Sequence, residues 1–235
     1  MNIVYGLTDA KKALLDLRNL EGSDQYESAK STVESILNQV KSQGDTALRK
    51  LTLDFDGIDV AELEIPRAKL KDAYRKVSKE VINSLKIAAD RIHRFHSASL
   101  PNNWMDHSEG YGEIFNPIER VGVYVPGGNA RFPSTVLMTV IPARVAGVPE
   151  VIITTPSSDG NTPHPSVLVA ADIAGVDRIF QVGGAQAIAA MAFGTDTVPN
   201  VDLICGPGGL HTTLAKKSVY GNVGIDGLYG PTETV

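Results

Sequence analysis

The run IERVGVYVPGGNARFPSTVLM, residues 118–138, decides how the rest of the chain is read. Residues 121–125 are an apolar, β-branched stretch with the character of a buried strand. Pro126, Gly127 and Gly128 then make a tight turn, and a helix begins near Pro133 and Ser134 with proline in its first turn. Glycine lets a ligand approach the backbone closely, and the free N–H groups of a helix start point outward at an anion. Strand, glycine turn and helix together therefore form an anion-binding unit.

The unit recurs downstream. Strands are expected at 150–154, 178–182, 201–205 and 223–226, separated by helices near 133–147, 164–174, 185–193 and 209–218. Strict alternation of this kind predicts a parallel sheet covered by helices on both faces, an α/β fold of Rossmann-like type. The proline-rich piece at 156–165 reads as a loop. Four glycine turns, at 126–128, 183–184, 206–209 and 230–231, follow or adjoin strands. In an open parallel sheet all four line one crevice beyond the strands' carboxyl ends.

The first half has a different texture. Thr8 and Asp9 are candidate caps for a helix to Asn19, and Ser23 or Asp24 for a second carrying Val33, Ile36, Leu37 and Val40 on one face. Gly44 stops it, and Asp45 is a candidate cap for a third helix through Leu51. Ser78 precedes a long helix striped with Val81, Leu85, Ala88, Ala89 and Ile92, which Pro101 ends. These stripes read as packing faces. The division expected is a mainly helical segment, 1–118, followed by a nucleotide-binding domain, 119–235.

Composition bounds the function. The 235 residues, 43% hydrophobic and 21% charged, can form one large domain or two small ones. A net charge of −5 argues against broad binding to nucleic acid or anionic membrane. The single cysteine, Cys205, precludes an internal disulfide and suits a reducing compartment. Residues 136–155 are interrupted by Pro142, Arg144, Pro149 and Glu150, so they fail as a membrane span. With no signal-peptide pattern at the start, a cytoplasmic protein is the expectation. The chain also ends in a turn with strand-like residues after it, so it reads as part of something longer.

Individual side chains carry competing readings. Tyr124, at the end of the first strand, serves a ring or ribose, or is a core tyrosine with a satisfied hydroxyl. Gln186 opens a helix after Gly183 and Gly184; its amide faces the crevice, or, by default for a helix start, solvent. Cys205 has a nucleophile's position but no evident basic partner, so it reads as structural. The five histidines show no zinc-ligand spacing. The fingerprint Gly-x-Gly-x-x-Gly is absent after the first strand, and Thr154 and Thr155 stand where an acidic residue would hold a ribose.

The segments ERVGVYVPGG (119–128), PSTVLM (133–138), IPARVAGV (141–148), VGGAQAIAA (182–190), GTDTVP (194–199), GPG (206–208) and GPTE (230–233) resemble the histidinol dehydrogenase family in order and spacing. QGDTAL (43–48) and FDG (55–57) fit more loosely. The resemblance covers this whole chain but only the N-terminal part of a family subunit. It implies that 119–233 is the NAD-holding domain. The helical half would then be the first stretch of a second Rossmann-like domain completed later in the chain. It implies NAD and zinc as cofactors, a small amino alcohol as substrate, a glutamate–histidine pair for proton handling, and a homodimer. The zinc ligands and that pair are expected outside these residues, leaving this chain inactive alone.

The resemblance assigns cofactor contacts to Tyr124 and Gln186, with Gly127, Gly128, Gly183 and Gly184 in the turns. A third cofactor position, usually asparagine, is Gly209, which forgoes one hydrogen bond of about 1 kcal/mol. Thr232 matches the family's substrate-side serine. Two other readings remain: a related zinc dehydrogenase of another small alcohol, or a short, non-catalytic NAD-binding or assembly protein.

Overall fold

The computed structural model describes residues 3–18, 23–127, 131–158 and 162–229. The chain begins with helices α1 (Leu7–Arg18), α2 (Asp24–Gln43), α3 (Asp45–Asp56), α4 (Arg67–Lys76) and α5 (Lys79–Ala98). A short hairpin, β1 (Trp104–Asp106) and β2 (Tyr111–Glu113), follows. The alternating half runs β3 (Arg120–Tyr124), α6 (Pro133–Val145), β4 (Glu150–Thr154), α7 (Pro165–Ala174), β5 (Arg178–Phe180), α8 (Gly184–Phe193), β6 (Leu203–Cys205), α9 (Leu210–Val219) and β7 (Gly224–Ile225).

Local chemistry accounts for several boundaries. The Ser23 hydroxyl accepts the Tyr26 N–H and caps α2, and the Ser78 hydroxyl accepts the Val81 N–H and caps α5. Gly44, not Asp45, caps α3. The Asp45 carboxylate is drawn instead to Thr197, accepting both its N–H, at 3.3 Å, and its hydroxyl. Two elements escape the periodicity reading. Helix α4 is strongly charged and buries only Ala73. The β1–β2 hairpin is exposed and is held by the Trp104 indole N–H donating to Glu113 at 2.8 Å.

The five-stranded sheet is parallel, in the order β5-β4-β3-β6-β7. The chain leaves β3 to one side through α6 and α7, returns by α8, and continues to the other side through β6 and β7. The order therefore reverses between β3 and β6, the topological switch point at which such sheets bind ligands. Val121, Val123 and Val125 face one core, shared with α4, α5, α6 and α7. Tyr124 faces the other, shared with α2, α3, α8 and α9. The helices of the first half thus pack on both faces of the second half's sheet. Gly122 is required by this packing: a Cβ there would lie 2.6 Å from the Met191 sulfur of α8.

The two edges of the sheet differ chemically. Ion pairs staple the strands' amino ends: Arg120 to Glu150 at 2.6 Å, Arg178 to Glu64 at 2.7 Å, and Arg144 to Asp177. The Arg120 N–H also donates to Asp202 at 2.7 Å. The carboxyl ends carry the glycine turns. Among the described residues, no helix is long and apolar enough to cross a membrane.

Candidate functional site

Three described turns meet at the carboxyl edge around Tyr124. Its hydroxyl accepts the Gly184 N–H, at the start of α8, at 3.2 Å. Gly206, with φ +114°, lies against the Tyr124 carbonyl so closely that any Cβ would overlap the oxygen. Gly127 and Gly183 both abut Pro156; a Cβ on Gly183 would come within 2.7 Å of it. Tyr124 is therefore both a core tyrosine and the residue that ties the turns after β3, β5 and β6 together. Gly128 and Thr232 lie outside the described residues, as does the turn at 230–231.

Gln186 does not face solvent. It is 2% exposed. The side chain folds back over the turn, placing its Oε1 2.7 Å from where a Gly184 Cβ would sit. The helix-start position suggests a solvated amide; burial beside the Gly184 turn overrides it.

The helix starts at this edge are open as well. Gly183 and Gly209, at the N-caps of α8 and α9, bring no capping side chain, so apart from the Gly184 N–H that Tyr124 accepts, backbone donors there lack a side-chain cap. Space around Gly209 is free, with nothing within 4 Å of an added Cβ. Thr154, where an acid would hold a ribose, is buried with its hydroxyl toward the Met191 sulfur at 3.7 Å. The standard acidic ribose contact is thus missing, as the sequence implies.

Two neighbours escaped sequence reasoning. Arg131 and His164 line a shallow cleft with Gly127 and Pro156. The His164 ring caps α7, accepting the Ser166 N–H at 3.3 Å, a role its proximity to Pro165 hinted at. The surroundings of Cys205 disfavour a thiolate: burial first, and then the Asp226 carboxylate, push its thiol up to about 12, while Lys216 pulls it the other way. The basic group that the local sequence lacks is thus present in space, but Asp226 and the Gly206 carbonyl occupy it. Among the described residues, no three His, Cys, Asp or Glu side chains gather as a metal site.

Comparison with known proteins bears on the family and the fold. The family model described as histidinol dehydrogenase matches residues 20–235. Histidinol dehydrogenase of Thermosynechococcus vestitus is 44% identical over 240 residues, covering 100% of this chain and 56% of that protein. That of Prochlorococcus marinus (strain MIT 9313) is 46% identical over 229 residues, covering 96% and 52%. The crystal structure of histidinol dehydrogenase from Elizabethkingia anophelis superposes with a TM-score of 0.82 at 34% identity, covering 86% of this chain and 48% of that one. The chain spans about half the length of the curated relatives it matches.

Proposed function

The chain belongs to the histidinol dehydrogenase family, and on that premise we propose that it forms the NAD-holding portion of a zinc-requiring dehydrogenase of L-histidinol, serving histidine biosynthesis. The observation that carries the cofactor reading is the meeting of the glycine turns at the end of β3, where Tyr124 holds Gly184 and abuts Gly206 with the Gln186 side chain buried alongside. A dinucleotide suits that setting on two counts. The turns at Gly127 and Gly183 are bare of side chains, and no side chain caps the starts of α8 and α9.

NAD, when bound, supplies the hydride acceptor for oxidation of the alcohol carbon. This chain's residues bind and orient it. Gln186 offers an amide donor and acceptor, Tyr124 keeps Gly184 and its turn in place, and the glycines allow close backbone approach. The zinc ligands and the glutamate–histidine pair belong, in this reading, to the rest of the family enzyme. The whole enzyme is a cytoplasmic homodimer, and this portion alone is inactive. Gly209, in place of the family's asparagine, is the feature that favours the second reading, a related enzyme of another small alcohol. A panel of alcohols offered to the full-length protein separates the two.

Calorimetric titration of NAD into the 235-residue chain tests the cofactor reading. Saturable binding is expected, and Gln186→Leu should weaken it about tenfold without lowering Tm. Absence of saturable binding overturns the reading. Steady turnover of L-histidinol by the purified chain would overturn its assignment as inactive alone.

A further inference from the structure

Lys216 is the buried titratable residue that the cofactor reading leaves unused. It stands on α9, away from the glycine turns in sequence, and is 1% exposed. Its ammonium, which has three N–H donors, donates to the Gly206 carbonyl at 3.0 Å and to the Asp226 carboxylate, and the Tyr229 ring centre lies 5.4 Å from the nitrogen. The other oxygen of Asp226 accepts the Gly206 N–H at 2.8 Å. A single ion pair therefore grips both polar groups of the residue that abuts Tyr124 at the β3/β6 switch point.

Burying a lysine is costly, and well-packed apolar residues often serve stability as well or better than a buried ion pair. The pair's distinctive contribution is directional, because it fixes the peptides on both sides of a glycine that could otherwise adopt many conformations. We propose that Lys216, acting through Asp226, is a positioning residue for the cofactor. It locks Gly206 so that the turn at 206–209 keeps the shape in which the crevice between β3 and β6 accepts a dinucleotide. The proposal rests on the NAD reading above. Misplacement of a turn by a fraction of an ångström is enough to weaken a preorganised site.

The test uses the 235-residue chain in three forms: unaltered, Lys216→Met with Asp226→Leu, and Asp226→Asn alone. Thermal melting, NAD calorimetry and hydrogen–deuterium exchange of the 206–209 peptide are read for each. Removing both charges is expected to leave Tm at or above that of the unaltered chain. NAD binding should nonetheless weaken about tenfold or more, and exchange at the turn should speed up. A double variant that melts like the unaltered chain and binds NAD equally well overturns the proposal, since the pair is then structural alone. Should the double variant not fold, Asp226→Asn decides. It keeps an oxygen for Lys216 but loses the acceptor for Gly206, so unchanged NAD affinity in that folded variant also overturns the proposal. Failure of the unaltered chain to bind NAD overturns the cofactor reading itself, and the positioning role with it.

Discussion

The Tyr124 hydroxyl accepts the Gly184 backbone N–H at 3.2 Å, joining the end of the central strand to a turn 60 residues later. That one bond couples the turn after β3 to the start of α8, and it does so beside the buried Gln186 side chain. Tyr124→Phe keeps the ring in its core but removes the acceptor. It should cost about 1–2 kcal/mol in a denaturant melt and weaken NAD binding about five- to tenfold. Loss of stability with unchanged NAD affinity would place the bond outside the cofactor site.

Gly209 offers a gain rather than a loss. Its φ of −73° and ψ of −173° suit any residue, it stands at the N-cap of α9, and space around it is open. Gly209→Asn should raise stability by a few tenths of a kcal/mol through capping and tighten NAD binding about fivefold through a side-chain hydrogen bond. An unchanged binding isotherm would show that the family's asparagine acts at this position only in another context.

Gly206 and Gly221 form a matched pair for backbone strain. Both have positive φ, +114° and +98°, but a Cβ meets nothing within 4 Å at Gly221 and overlaps the Tyr124 carbonyl at Gly206. Gly221→Ala should cost about 1 kcal/mol from conformation alone, and Gly206→Ala about 2–4 kcal/mol. Equal losses in parallel melts would show that the turn at 206 yields without disturbing β3.

Asp45 gives a pH dependence with a definite sign. Burial raises its pKa, but hydrogen bonds from Thr195 and Thr197 and the nearby Arg49 charge outweigh that and hold it below the usual 3.8. A carboxyl with a depressed folded pKa contributes stability that is present above the unfolded value and is lost as pH falls through the folded one. The unaltered chain should exceed Asp45→Asn by about 1–2 kcal/mol at neutral pH, and the gap should close below about pH 4. A gap independent of pH would assign the contribution to shape rather than charge.

Much of the fold is legible along the chain because its signals are local. The β-branched run of β3, the Ser23 and Ser78 caps, Pro133 in the first turn of α6 and the alternation through β7 each arise from neighbouring residues and short-range sterics. The charged α4 and the exposed β1–β2 hairpin carry weak periodicity, so they were not visible in that way.

By itself, then, the sequence determined the succession of strands, glycine turns and helices, the parallel class of the sheet, and the family. The tertiary structure decided which turns meet. It placed β6 beside β3, buried Gln186 against Gly184, drew Asp45 from its helix start to Thr197 152 residues away, and closed Lys216 and Asp226 around Gly206. Backbone propensity and hydrophobic period act within a few residues, whereas those contacts depend on which distant surfaces pack together once the strand order is set.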